Sequence, residues 1–147
     1  MVRLATHDDL DFLDCHDPLL KRDVIADKVD RGEVYVVEDG GKLIGLARYD
    51  FFCDLDPFLT LIYVLEAYRG KGFGTLLMEY WEQQMIGEGH RFLLTSTEAA
   101  EDAQFFYRKL GYTDTGSIIF PGQAAIELVL IKQLRKPGEG LGPRQKE

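Results

Sequence analysis

Phe58-Leu59-Thr60-Leu61-Ile62-Tyr63-Val64-Leu65 is followed, after Glu66-Ala67-Tyr68, by Arg69-Gly70-Lys71-Gly72-Phe73-Gly74-Thr75. The first run is apolar at nearly every position, the pattern of a strand buried on both faces. The second holds three glycines in five residues, with Arg69 before them and Lys71 among them. Beyond it, Phe73, Leu76, Leu77, Tyr80, Trp81 and Met85 recur at helical spacing on one broad face, until Gly87 and Gly89 end the helix. Phe92 to Thr97 then reads as another strand. A strand, a helix and a strand in that order predict one parallel crossover. The glycines between strand and helix predict an anion cradle. They let backbone N–H groups converge and a ligand approach closely, the helix N-terminus adds partial positive charge, and Arg69 and Lys71 add full charges. That combination suits a pyrophosphate. It is not a Walker A loop, which needs Gly-Lys-Ser/Thr after four intervening residues, nor Gly-x-Gly-x-x-Gly, because Thr75 stands where the last glycine would be.

Reading outward, Val2 to Ala5 is the first strand. Thr6 with Asp8 and Asp9 marks a helix start, and Leu10, Phe12 and Leu13 form a short helix that Pro18 breaks. Leu19 to Val29 is a second helix, ending at Arg31-Gly32. Val34 to Val37 and Leu43 to Phe52 are strands joined by a hairpin at Asp39-Gly40-Gly41, and Cys53 to Pro57 is a loop. After the crossover, Glu101 to Leu110 is a helix with Ala103, Phe106, Tyr107 and Leu110 on one face and Gly111 as its stop. Tyr112 to Phe120 and Ala125 to Leu134 close the fold around Pro121-Gly122. The order β-α-α-β-β-β-α-β-α-β-β defines an α/β (α+β) protein with a mixed sheet and helices on both faces. Residues 1–136 read as one domain, and the Pro- and Gly-rich residues 137–147 as a flexible tail.

Composition excludes several classes. The 147 residues are 46% hydrophobic and 12% aromatic, enough for a core. The net charge of −8 is concentrated in residues 1–56, which hold 14 acids and 7 bases, and argues against nucleic acid as a partner. No apolar run is long enough to span a membrane, and Met1 to Asp9 lacks an apolar signal-peptide core. Cys15 and Cys53 make neither a disulfide framework nor a zinc site, so a reduced, cytoplasmic protein without a metal is expected.

Arg69-Gly70-Lys71-Gly72-Phe73-Gly74 resembles the Arg/Gln-x-x-Gly-x-Gly/Ala acetyl-CoA motif of the GNAT N-acetyltransferases, with Val64 five residues before the Arg where that family has an aliphatic strand residue. Ala103-Gln104-Phe105-Phe106-Tyr107-Arg108-Lys109-Leu110-Gly111-Tyr112 resembles the Ala-x-x-Phe-Tyr-x-Lys-Leu-Gly-Phe segment of the same superfamily. The likeness covers about residues 2–134 and implies a GNAT-like acyl-CoA acyltransferase fold with acetyl-CoA as co-substrate. It implies that the pyrophosphate rests on the N–H groups of Arg69, Gly70, Lys71, Gly72, Phe73 and Gly74 and on Thr75. The pantetheine arm would pair along Tyr63, Val64 and Leu65 like an added strand. An N–H near Val64 would stabilise the oxyanion, Ala103 and Phe106 would line the cofactor, and Tyr107 would protonate the leaving thiolate. By position alone Tyr107 reads as core, although a phenol is protonated at neutral pH and so able to act as an acid. Two positions depart from the pattern: Ala100 stands in place of an Asn that helps hold the cofactor arm, and Glu66 in place of a Pro.

The base for the acceptor amine is open among Glu98, Asp54, Asp56 and Glu66. The aromatics and acids from Phe51 to Phe58 read equally as an amine pocket or as inward-pointing strand ends. His7, His16 and His90 read as surface or capping residues and Trp81 as core. The acceptor is expected to be a cationic primary amine, on a small molecule or a protein, attacking directly in a ternary complex. A homodimer is compatible with this reading. A CoA-binding sensor without catalysis and a nucleotide-binding regulatory domain are the competing functions.

Overall fold

The computed structural model describes residues 1–134; the expected tail and the last residues of the expected domain lie outside them. Strands β1 (Val2–Leu4), β2 (Val34–Asp39), β3 (Lys42–Phe52), β4 (Asp56–Val64), β5 (Phe92–Glu98), β6 (Thr113–Ile118) and β7 (Glu127–Gln133) form one mixed sheet in the order β1-β2-β3-β4-β5-β7-β6. Helices α1 (Leu10–His16), α2 (Arg22–Asp30), α3 (Phe73–Gly87) and α4 (Ala103–Lys109) complete the fold. The element order is the expected one, with short 3-10 turns added at His7–Asp9 and Glu66–Tyr68. No helix among the described residues is long and apolar enough to cross a membrane.

Residue contacts divide the chain into two units, one of residues 1–50 and 60–84, the other of residues 51–59 and those from 85 onward. In the first unit β2 alternates sides, as a strand must. Val34 and Val36 pack with Leu13, Ile25 and Leu46 under α1 and α2. Tyr35 turns the other way, 5.3 Å from the ring of Tyr80 and 5.9 Å from that of Tyr49, which in turn lies 5.7 Å from Trp81 on α3. Helices therefore cover both faces here. Trp81 is fully buried, as its spacing implied, together with Leu77, Met78 and Met85. Leu76 is instead exposed and Met78 takes its place, because the core-facing stripe of α3 is rotated about one residue from the expected one.

A buried ion pair ties these layers together. Arg48 on β3 donates from Nε to Asp17 Oδ2 at 2.5 Å and from Nη1 to Thr60 Oγ1 on β4 at 2.8 Å. Asp17, just past α1, also accepts the N–H groups of Leu19 and Leu20. Burial pushes the Asp17 carboxyl up, but the bonds from Arg48 and these N–H groups outweigh it and hold the pKa below the ordinary carboxylate value.

In the second unit β4 and β5 are parallel, with Phe58 opposite Leu94 and Leu59 opposite Thr95. β7 runs antiparallel between β5 and β6, from Phe92↔Gln133 to Glu98↔Glu127 on one side. The expected loop at Cys53 to Pro57 is a tight hairpin turn. Cys53 and Asp54 occupy its centre at φ 53° and 62°, Leu55 N–H bonds Phe52 O at 3.1 Å, and β4 begins at Asp56. The sequence signal was hidden because two residues with side chains hold a conformation that glycine or asparagine usually takes. Burial of β4 on both faces is also corrected. Pro57 and Leu59 are buried, whereas Thr60–Val64 are half-buried, lying beyond the last paired residues of its parallel ladder.

Replacing Arg48 with Met strands a buried carboxylate and is expected to cost about 3–5 kcal/mol of unfolding free energy. Asp17→Asn in the same chain, which keeps an acceptor for Leu19 and Leu20, recovers part of it. Because the folded pKa of Asp17 is depressed, its contribution is present above the unfolded carboxylate value of about 3.9 and is lost in acid. Urea unfolding should therefore show the gap between wild type and Arg48→Met narrowing below about pH 4.

Candidate active site

The glycine-rich segment leaves open space in front of the first N–H groups of α3, as an anion cradle requires. Gly70 and Gly72 take φ 72° and 93°, and a Cβ added at either would meet nothing within 4 Å, so the space above both is open to a ligand. Gly72 O accepts the first helical bond of α3, from Leu76 N–H at 3.0 Å. The N–H groups of the first turn, from Phe73 to Thr75, are thus free of intrahelical acceptors, and no acid stands in that turn to compete for them. Two lysines converge on the ring of Tyr68, which precedes the glycines in the chain. Lys71 Nζ lies 5.7 Å from the Tyr68 ring, and Lys42 Nζ, from the start of β3, lies 5.6 Å from the same ring. Lys42 was not legible in sequence, since only the hairpin that returns β3 beside β4 brings it there. These residues fit a pyrophosphate.

Tyr63, Val64 and Leu65 lie where β4 ends. Leu65 N–H bonds Ile44 O on β3 at 2.8 Å. Strand alternation then turns the N–H and C=O of Val64 away from β3. The carbonyl accepts Arg69 Nε at 2.8 Å, and the Arg69 guanidinium lies 5.3 Å from the Tyr63 ring centre. Gly45 sets this geometry. A Cβ there would stand 2.8 Å from Tyr63 O, 2.9 Å from Val37 Cγ1 and 3.3 Å from Val64 Cγ2. Its sequence signal was a lone glycine inside a strand, the mark of a close backbone approach.

The second motif lies in the other unit. Tyr107 is buried on α4, and the helix ends around it in a Schellman turn: Gly111 N–H bonds Arg108 O at 3.0 Å and Tyr112 N–H bonds Tyr107 O at 3.1 Å. Gly111 supplies the φ of 97°, and the rings of Tyr107 and Tyr112 meet at 5.9 Å. Burial raises the Tyr107 pKa above its ordinary value, and a hydrogen bond with Thr95 partly offsets this. Thr95 Oγ1 also donates to Leu59 O at 3.1 Å, which ties this hydroxyl to β4. Thr95 was missed in sequence, because nothing local marks a strand threonine as the partner of a tyrosine beyond the next loop. Phe106 is half-buried with its ring 5.4 Å from that of Tyr107, whereas Ala103 is exposed at the start of α4, so the apolar face expected for this helix is buried fully only at Tyr107. Beside exposed Ala100, Gln104 Nε2 donates to Ala99 O at 2.9 Å, tying that loop to the helix.

The candidate carboxylates differ in setting. Glu98 ends β5 half-buried, in register with Glu127, which accepts from Ser96 Oγ at 2.8 Å and Gln123 Nε2 at 3.2 Å. Asp54 is exposed at the centre of the hairpin turn, Asp56 starts β4, and Glu66 lies in the 3-10 turn. Phe51 faces the His90 ring at 5.8 Å, and Phe52, half exposed rather than pointing inward, faces Phe58 at 6.4 Å.

Comparison with known proteins gives the same family as the motifs. Residues 30–114 match the acetyltransferase (GNAT) domain family. A mycothiol acetyltransferase from Corynebacterium efficiens is 33% identical over 82 residues, which are 55% of this chain and 28% of that protein, so the match spans little more than a quarter of the relative's length. An acetyltransferase of the GNAT family from Bacillus cereus superposes with a TM-score of 0.75 at 24% identity, covering 90% of this chain and 96% of that one. The yncA protein of Salmonella typhimurium, solved with its cofactor acetyl-CoA, superposes with a TM-score of 0.76 at 19% identity, covering 92% and 94%. The chain belongs to the GNAT family of acetyltransferases.

Gly45→Ala should be destabilising by about 1–3 kcal/mol, because the new methyl meets backbone that cannot move aside cheaply. Chemical unfolding would register it, and unchanged stability would refute the close approach as a constraint.

Proposed function

We propose that this protein transfers an acetyl group from acetyl-CoA to a cationic primary amine by direct attack. The observation that carries this is the open cradle of Gly70 and Gly72 at the start of α3, continuous in sequence with a strand end whose Val64 N–H turns away from β3. The pyrophosphate is assigned to the N–H groups from Arg69 to Gly74 and to Thr75, with Arg69, Lys71 and Lys42 contributing charge. Pantetheine is assigned to the edge at Tyr63 to Leu65, where its amides replace the Arg69 contact to Val64 O. The Val64 N–H receives the thioester oxygen and stabilises the charge that develops on it. Ala103 and Phe106 are assigned to the cofactor as the second motif implies, and Tyr107 to the leaving thiolate. Its raised pKa keeps the phenol protonated at neutral pH, as an acid requires.

The acidic first third supports a cationic acceptor. Asp9, Asp17, Glu33 and Glu38 are engaged by Arg3, Arg48, Lys28 and Arg3 respectively. Asp23 and Asp27 on α2 are exposed and keep the local field negative. That field attracts an amine on a small molecule and an amine on a protein alike. The sensor reading draws on Ala100, which lacks the amide that the second motif usually provides.

Thiol release from acetyl-CoA should be followed with spermidine, L-lysine, tyramine and an alanine-initiated tripeptide. Turnover is expected to favour the polycation, with kcat/KM falling as salt rises. Tyr107→Phe should slow turnover about 100-fold or more, with the KM for acetyl-CoA nearly unchanged. Acetyl-CoA binding without turnover of any amine would favour the sensor.

A further inference from the structure

Two of the three histidines have ionic partners: His7 Nε2 lies 2.7 Å from Asp30, and His90 Nε2 lies 3.7 Å from Glu88. His16 does not. It is the last residue of α1, half-buried, with its ring stacked on Tyr63 at 5.3 Å between centroids and 20° between planes. Phe12, one turn earlier, touches the same imidazole at 4.6 Å. Neither imidazole nitrogen has a hydrogen-bond partner among the described residues.

The position of His16 is fixed by its neighbours. Asp17, the next residue, is locked to Arg48 on β3, and Arg48 is bonded to Thr60, three residues before Tyr63 on β4. The end of α1 is thereby fastened to the strand on which His16 stacks. Tyr63 directly precedes Val64. An oxyanion about 2.9 Å from the Val64 nitrogen would put the thioester carbon beside the peptide that joins the two residues. The groups around His16 are the Tyr63 phenol on β4, the Arg69 guanidinium over that ring, and Asp17, which Arg48 neutralises.

From this geometry we infer that His16 is the base that takes the proton from the attacking amine, directly or through one water; the inference rests on the acetyltransferase reading. The neutral amine nitrogen attacks the thioester carbon, forming the C–N bond, and sheds one proton to a free imidazole nitrogen. The C–S bond breaks, and the thiolate takes the Tyr107 proton. His16 returns its proton to solvent and Tyr107 regains one, so amine and acetyl-CoA become N-acetyl amine and CoA. Imidazole suits this step because one ring nitrogen accepts a proton in the transition state and later gives it up to water.

The test compares wild type, His16→Phe, which keeps a ring to stack on Tyr63, and His16→Ala, each with the fastest of the four amines at saturating acetyl-CoA. His16→Phe is expected to turn over at least about 100-fold more slowly, with the acetyl-CoA KM within about two-fold of wild type. The acidic limb of the kcat–pH profile is expected to disappear, and added imidazole to rescue His16→Ala in part. His16→Phe with a rate within about three-fold of wild type, or a slow variant that keeps the acidic limb and resists imidazole rescue, would overturn the assignment. If wild type itself turns over no amine, the acetyltransferase reading fails and takes this inference with it, an outcome distinct from failure of the variants alone.

Discussion

The buried pair of Asp17 and Arg48 is the constraint on which the first unit of the structure depends. A carboxylate and a guanidinium removed from water are tolerable only when each is fully bonded. Asp17 meets this through Arg48 and the N–H groups of Leu19 and Leu20, and Arg48 through Asp17 and Thr60. Satisfying both charges fixes the end of α1 against β3 and β3 against β4. These directional bonds add to the register that the apolar pattern and the hairpin turns already favour. His16 and Tyr63 meet as a consequence, one beside Asp17 in the chain and the other three residues past Thr60.

Gly45 completes this arrangement from the β3 side. By letting the backbone at Tyr63 come within contact of β3, it sets the line along which β4 runs toward the glycine cradle. Strand alternation then decides which amide turns outward, and that amide belongs to Val64. The cradle adds the N-terminus of α3 and the cations of Arg69, Lys71 and Lys42. On the proposed acetyltransferase reading, cations stand where an anionic cofactor would rest, and outward-turned peptide groups edge the place where its arm would lie. The acids of the first third have two fates here: some hold the fold together as ion pairs, and the exposed ones shape the field that an amine would meet.

Local signals made much of this legible in sequence. Glycine spacing and cations marked the cradle, apolar periodicity marked α3 and the strands, and Gly111 marked the turn that holds Tyr107. The element order followed from them. The missed features depend on contacts between distant residues. Arg48 and Asp17 are 31 positions apart, Lys42 reaches Tyr68 only through the return of β3, and His16 meets Tyr63 only after α1 has docked. The turn at Cys53 and Asp54 was hidden for a different reason: the chain adopts a glycine-like backbone there without glycine. The half-burial of Thr60 to Val64 was unreadable because an apolar run looks the same whether both faces are covered or one strand edge is left for a ligand.

The backbone amide spectrum of the ¹⁵N-labelled protein, titrated with acetyl-CoA and separately with ATP, probes cradle and strand end together. Acetyl-CoA is expected to shift the amides of Gly70 to Thr75 together with those of Tyr63 to Leu65. ATP, which has no pantetheine arm, is expected to leave Tyr63 to Leu65 unmoved. Shifts confined to other parts of the chain, or the same response to both ligands, would contradict a cofactor site built from the cradle and the β4 edge.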